Sequence, residues 1–398
     1  MTETELTPSL TRRIIGLPRE ARVICAGMFI NKFGNFLSVF LVLYLTHRGY
    51  SPFLAGAALG TIGFGGFLGN AVGGTVADRI GRRWTIVVSM FGTAVFTLLV
   101  PLADDIGPII ALSLAVGFLA QLYRPAAGAI LVDTVPARDL IAAVSLLRLA
   151  MNLGMAVGSV VGGVLSVMSY TYLFVGNAVT CLLFGLLVLA LLPETRPGSS
   201  REAGTTPRGG YRTVFRDRAM VLYLMSMFAA TYVYVQTTAT LPLHVRQQGD
   251  GNEFYGVLLG VNALLIVLFE LPLVRFTERR PPRHVIALGV VLLGAGVALT
   301  GVANAQGALV ATVVLWTLGE MIYTPVATAY PGLLAPDYLR GRYQGAEGVA
   351  VTVAQTAGPA AGGFLYGHTA IGHWVLCGVI AVLGAAFMLA AKPAGAAT

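Results

Sequence analysis

Charge is scarce in this sequence, cysteine is scarcer, and several common signatures are missing. Only 11% of the 398 residues are Asp, Glu, Lys or Arg, against roughly a quarter in soluble globular chains. That excludes a protein that meets mainly water. Once about a dozen apolar spans of ~20 residues are counted, no length remains for a sizeable soluble domain. Cys25, Cys181 and Cys377 each stand inside an apolar run, which makes them small core hydrophobes and not disulfide partners. The cysteines and the five histidines show no metal-ligand spacing, so no metal and no cofactor is expected. No nucleophile, acid and base cluster and no nucleotide-binding loop can be found, which argues against an enzyme. The first 22 residues lack a short apolar core followed by a small-residue cleavage site, so no signal peptide is expected.

What the sequence has in abundance is apolar residues, at 56%. They fall into long unbroken runs near 23–45, 53–77, 84–103, 108–132, 141–167 and 171–192, then 218–242, 254–276, 284–303, 307–331, 341–366 and 370–391. Runs of this length predict an all-α membrane protein of twelve transmembrane helices, since a barrel shows short alternating segments instead. A short N-terminal segment (1–22) leads into one six-helix bundle (23–192). A linker (193–217) rich in Pro, Gly, Ser, Thr and Arg joins it to a second bundle (218–391), and a tail (392–398) follows.

The net charge of +8 raises the question of a nucleic-acid partner. Placement answers it. Between spans, Arg48 and Arg246 fall on one side; Lys32, Arg124 and Arg148 lie within apolar runs; every other Lys and Arg falls in the alternate gaps or at the two ends. This is the positive-inside pattern, and it places both termini in the cytoplasm of a cell with this protein in its inner membrane. No basic face interleaved with aromatic residues is visible, so no nucleic-acid partner is expected.

The two bundles are related. A shift of 200 positions brings Gly56 onto Gly256, Gly60 onto Gly260, Arg79 onto Arg279, Arg83 onto Arg283, Tyr123 onto Tyr323, Pro125 onto Pro325, Gly158 onto Gly358 and Gly163 onto Gly363. With six spans per copy both keep one membrane orientation, so the repeats are parallel, and a substrate cavity is expected between them.

After the second span the chain reads GGTVADRIGRRW. Gly74, Asp78, Arg79, Gly81, Arg82 and Arg83 match in full the loop signature of the major facilitator superfamily, which this sequence resembles. The turn is short, so Gly81 supplies a tight bend and the arginines hold the loop at the anionic lipid surface. The resemblance implies a conformational latch in which Asp78 caps the helix beginning near Arg340 and Arg82 pairs with Asp133. In the second copy, FTERRPPRH, Glu278, Arg279 and Arg283 persist but Pro281 replaces the glycine, so a degenerate latch is expected there.

Helix 4 carries LYRPAAG, similar to the Arg-Pro pattern of the drug:proton antiporter branch of that superfamily. Arg124 lies about 12 Å deep, where a charge is costly and usually functional. That branch also carries a glycine ladder ending in Gly-Pro-x-x-Gly-Gly on helix 5. Here Gly154, Gly158, Gly162 and Gly163 keep the ladder but Ser159 replaces the proline, while helix 11 has the full Gly358, Pro359, Gly362 and Gly363 set. Four-residue glycine spacing is equally the mark of a close-packing helix face.

Lys32 and Glu320 lie about 15–18 Å inside their spans. A carboxylate at that depth can load and release a proton as a cavity alternates; a static Lys32–Glu320 pair is the other reading. Asn31, Asn35, Tyr123, Tyr232, Tyr234, Gln236 and Tyr323 are the further candidates for lining the same space. Arg148 and Glu270 both sit near 10 Å from the cytoplasmic ends of helices 5 and 8, and pairing offsets the cost of each. They are expected to bridge the two bundles when those ends approach, unless Glu347 takes Arg148 instead. The resemblance implies a monomeric, proton-coupled exporter of small organic molecules or drugs. The surplus of cavity cations points instead to uptake of an anionic or zwitterionic metabolite, by symport or uniport. A non-transporting sensor or scaffold is a third possibility, against which the intramembrane charges speak.

Overall fold

The computed structural model describes residues 16–136, 139–194, 211–277, 280–336 and 339–391, and among them there are helices and no strand. In chain order the long helices are α1 Arg19–His47, α2 Pro52–Ile80, α3 Arg82–Leu102, α4 Ile106–Thr134, α5 Leu140–Met168 and α6 Tyr170–Leu191. After a short linker helix, Tyr211–Arg216, come α7 Arg218–Ala239, α8 Asn252–Thr277, α9 Pro282–Val302, α10 Gln306–Leu334, α11 Arg340–His368 and α12 Ala370–Ala390. Among the described residues eleven helices are long and apolar enough to cross a membrane. The remaining one, α11, has the length, at 29 residues, but its face carries Arg342, Gln344, Glu347 and Gln355.

The duplication reappears in the element boundaries. Met168 and His368 end α5 and α11, Arg82 and Pro282 open α3 and α9, and a 3-10 turn closes both α3 (Val100–Leu102) and α9 (Thr300–Val302). Gly49 and Gly249, at φ of 88° and 86°, make the equivalent turns before α2 and α8, a backbone region open to glycine at little cost. We call the end of the molecule where α1 starts and α2 turns into α3 the basic face, and the other end the opposite face.

Two long helices are broken where the sequence shows no break in hydrophobicity. In α1 the backbone is interrupted at Gly34–Asn35; a Cβ on Gly34 would lie 1.7 Å from Thr180 Oγ1, so α1 and α6 touch there. The amide of Leu37, left free by the break, donates to Asn177 Oδ1 at 3.2 Å, which removes the cost of a buried unpaired donor. In α4 the break falls at Tyr123, just before Arg124 and Pro125, since proline cannot donate to the preceding turn. The expected linker includes a Tyr211–Arg216 helix, which leads into an α7 capped by Asp217, whose carboxylate accepts from the amides of Ala219 and Met220.

Between the bundles, α2 packs against α11 and α5 against α8. The contact is closest toward the opposite face. A Cβ on Gly56 would sit 2.1 Å from the Pro359 carbonyl oxygen, on Gly60 2.0 Å from that of Thr356, on Gly363 2.2 Å from that of Pro52, and on Gly256 2.4 Å from that of Ser159. Toward the basic face the picture inverts. Beside Gly128, Gly332, Gly341 and Gly348 there is open space, and α4 and α10 pack mainly within their own bundles.

Candidate functional site

Three recesses lie in and beside the space between the bundles. The central one, about 310 Å³, is lined from both halves by Asn35, Ser38, Leu59, Ile62, Met155, Tyr234, Leu259, Asn262, Trp316 and Gln355. A smaller side recess of about 80 Å³ shares Asn35, Ser38 and Ile62 with it and adds Asn31, Lys32, Gln121 and Asn177, all from the first bundle. A third, of about 150 Å³, lies between Arg148, Met151 and Asn152 on α5 and Ile266, Glu270, Glu320, Met321 and Thr324 on α8 and α10.

Glu320 lines the third recess and is hydrogen-bonded to Asn262, which lines the central one. Asn262 Nδ2 donates to Glu320 Oε2 at 3.0 Å and also lies 3.1 Å from Thr317 Oγ1, and the Tyr234 phenol lies near the carboxyl. No ion pair reaches Glu320 among the described residues, so the static Lys32–Glu320 pair is absent. Lys32 and Arg124 likewise have no carboxylate partner among those residues. Arg124 stands just past the α4 break, exposed, and its charge acts on Lys32. The side of the cavity built by the first bundle is thus cationic, and the side built by the second carries a carboxylate dressed only by neutral donors.

Three of the expected cavity residues stand elsewhere. Gln236 is fully buried and donates to the carbonyls of Gly358 and Tyr232, tying α7 to α11, because Gly358 and Gly362 let that backbone come close. Tyr232 faces an apolar groove on the outside of α7, α11 and α12. Tyr123 is buried with its hydroxyl 3.1 Å from Met28 Sδ and 3.2 Å from Asn31 Oδ1, a tie of α4 to α1. Tyr323 packs its Cβ against Gly289 of α9 and stays near Glu320 on the same helix. Helical spacing alone did not separate these directions. Asn262, Trp316 and Gln355 line the cavity although the sequence reading passed over them; a lone asparagine inside the apolar run VLLGVNALLIV is the signal that was available for Asn262.

At the basic face, Arg82 is nearly buried and pairs with Asp133 at the end of α4. Gly81 adopts φ 93°, and Arg83 donates to the carbonyl of Leu189. Asp78 and Arg79 are exposed, and Asp78 has no partner among the described residues; the expected cap on α11 is not formed in this state. Gly74 has only Pro125 Cβ nearby, at 4.0 Å. Glu194, placed at the start of the linker, lies against Gly81, where a Cβ would be 2.1 Å from its Oε1. Glu278 and Arg279 of the second copy lie outside the described residues. The helix 5 ladder serves close packing: Gly154 and Gly158 face the carbonyls of Phe29 and Phe33 on α1, Gly162 faces Phe36 and Phe40, and Gly163 faces the backbone of Asn252 and Glu253.

Arg148 Nη2 donates to Glu270 Oε1, joining α5 to α8 across the bundle interface. Glu347 does not take Arg148; it accepts from the Tyr223 hydroxyl at 2.6 Å. One part of the expectation is corrected. The bridge forms here while the opposite face is closely packed and open space lies beside Gly128, Gly332, Gly341 and Gly348, so it does not require the basic-face ends to close around it.

Comparison with known proteins agrees with this architecture. The sequence profile of the Major Facilitator Superfamily matches residues 24–255 and 249–397. Over 348 residues the chain is 27% identical to an uncharacterized MFS-type transporter, YqjV, of Bacillus subtilis, covering 85% of this chain and 84% of that one. It is 23% identical to a Na(+), Li(+), K(+)/H(+) antiporter of Planococcus maritimus, with 80% and 83% covered. It is 22% identical to the multidrug resistance protein MdtH of Shigella sonnei, with 86% of each covered. Among solved structures, nucleoside transporter NupG superposes with a TM-score of 0.79 over 94% of this chain and 99% of that chain at 14% identity. Twelve long helices among the described residues, in two related halves around a central cavity, the complete loop signature after α2 and a profile match along almost the whole chain lead to one assignment: the protein belongs to the Major Facilitator Superfamily of membrane transporters.

Proposed function

We propose that this transporter exports small organic molecules in exchange for protons, by alternating access of the cavity between the bundles. Its basic face lies in the cytoplasm, and it works as a monomer in the bacterial inner membrane. The carrying observation is Glu320, a carboxyl group between the bundles whose hydrogen-bond partner, Asn262, is neutral. Such a group exchanges a proton with whichever face the cavity meets. The named activities of the antiporter and of MdtH support exchange and efflux. In this state the cavity is shut toward the opposite face, so it faces the cytoplasm, and Arg148–Glu270 spans its mouth. Arg82–Asp133 and the glycine turn belong to the latch, which engages α11 in the other state. Uptake is favoured by one observation, the excess of Lys32 and Arg124 over Glu320.

In proteoliposomes an imposed pH gradient should drive uphill movement of a substrate found by ligand-induced melting shifts. Glu320→Gln should abolish that movement while substrate binding and energy-independent exchange persist, since the amide keeps the shape and cannot titrate. Undiminished uphill transport in that variant excludes Glu320 as the proton carrier. A cysteine replacing exposed Arg212 should react only from the cytoplasm; reaction from outside intact cells reverses the orientation.

A further inference from the structure

The opposite charges of the cavity are held on different bundles and are not used on each other. Lys32 lines the side recess from α1, and Arg124 follows the α4 break on the same bundle. Neither has a carboxylate partner among the described residues, whereas Arg148, Arg82 and Arg48 each have one. On the second bundle Glu320 accepts a hydrogen bond from Asn262, with the Tyr234 phenol nearby, and no cation pairs with it among the described residues. Between these poles lies the central recess with Leu59, Met155, Leu259 and Trp316 on its walls, a volume at the small end of the range that takes drug-sized ligands. An uncompensated intramembrane charge is expensive, and a ligand that satisfies both poles at once removes that cost from two bundles.

We propose that the substrate is a zwitterion: an anionic group such as a carboxylate against Lys32 and Arg124, an ammonium group against Glu320, and an apolar or aromatic body in the recess between them. This rests on the exchange reading, and the sign of the coupling selects the zwitterion over a plain anion. A cation beside Glu320 favours its ionised form and so displaces the proton, which is what exchange requires; an anion without an ammonium favours the protonated form and couples to co-transport. A plain amine satisfies Glu320 but leaves Lys32 and Arg124 unpaired and adds a third positive charge to the cavity. The charged and titratable groups around Glu320 are Tyr234 on α7, Glu270 on α8 and Tyr323 on its own helix, with Arg148 across the interface held by Glu270.

The test is a matched series on the purified full-length protein. Zwitterions such as 4-(aminomethyl)benzoate and 3-[4-(aminomethyl)phenyl]propanoate are compared with benzylamine and with benzoate by calorimetric titration at several pH values. The best zwitterion should bind at least tenfold tighter than both controls near neutral pH. Its affinity should fall on acidification, where protonated Glu320 no longer attracts the ammonium, while that of benzoate should rise. Lys32→Gln should erase the advantage over benzylamine and Glu320→Gln the advantage over benzoate; the pH profiles of the unaltered protein carry the test if either variant misfolds. A control that binds as tightly as the best zwitterion, or no binding across the zwitterion series, overturns the proposal. Selective, pH-displaced zwitterion binding without gradient-driven transport supports the two-pole site and refutes the exchanger.

Discussion

The two ends of the interface between the bundles are held by different physics. Toward the opposite face Gly56, Gly60, Gly256 and Gly363 bring backbone against backbone, at distances where one added carbon collides with a carbonyl oxygen. Toward the basic face a bridge from Arg148 to Glu270 crosses the gap, with the arginine side chain 52% exposed. Backbone packing of this kind is short-ranged and all-or-none, since a small gap forfeits much of the dispersion energy. An ion pair between flexible side chains tolerates separation and exchanges partners. The first kind of contact therefore suits the definition of a state, and the second suits the proposed role at a passage that opens and closes.

The sharpest break of this comparison is Gly56→Val. Its Cβ would meet the Pro359 carbonyl at 2.1 Å, and overpacking of a backbone contact costs about 1–3 kcal/mol. That shifts a two-state equilibrium by about 5- to 150-fold. Transport should be nearly lost, and a cysteine reporter on the opposite-face half of α2 should become accessible from outside; wild-type accessibility and transport would remove the packing from the switching cycle.

The ion pair predicts a smaller, recoverable effect. Arg148→Glu and Glu270→Arg should each reduce transport by roughly tenfold, and together recover much of it, with a coupling energy on the order of 1 kcal/mol, limited by exposure of the arginine. Losses in the double variant that equal the sum of the singles would show that the two residues act independently.

Gly348, on the basic-face half of α11 with open space around it, separates fold from cycle. Gly348→Ala should stabilise the helix by about 0.5–1 kcal/mol and raise the melting temperature, whereas Gly348→Leu should fold equally well but slow transport if that space closes in the other state. Equal transport by both would mean that α11 never closes at this level. Asp133→Asn is the mildest change. It loosens Arg82 within one bundle, on a half-exposed partner, and should cost about 0.5 kcal/mol of stability while leaving the Arg148–Glu270 coupling unaltered; a changed coupling energy would tie the latch to the bridge.

Much of this molecule can be read along the chain because the bilayer demands it. Apolar runs long enough to span, arginines on alternate sides and a glycine-turn signature are local in sequence. So is the duplication, which survives as a constant offset from Gly56 to Leu365. The mid-membrane charges Lys32, Arg124 and Glu320 were conspicuous for the same reason, as costs that demand an explanation. Arg148 and Glu270 lie at matching depths that can be counted along the chain, since rise per residue is a local property.

Direction around the helix was not legible, and tertiary structure decided it. In a soluble helix an apolar stripe marks the buried side, but here lipid-facing and core-facing residues are equally apolar, so the phase carries little signal. Gln236 and Tyr232 lie on the same helix as Tyr234, yet one ties α7 to α11, another faces the outer groove, and only Tyr234 reaches the cavity. The breaks at Gly34 and Tyr123, the recruitment of Asn262 to Glu320 and the separation of Lys32 from Glu320 all depend on helices far apart in sequence coming within contact. The sequence alone determined how many times the chain crosses the membrane and which charges it must bury there; the packing of one bundle on the other decided what those charges face, because that is set by contacts between surfaces and not by any period along the chain.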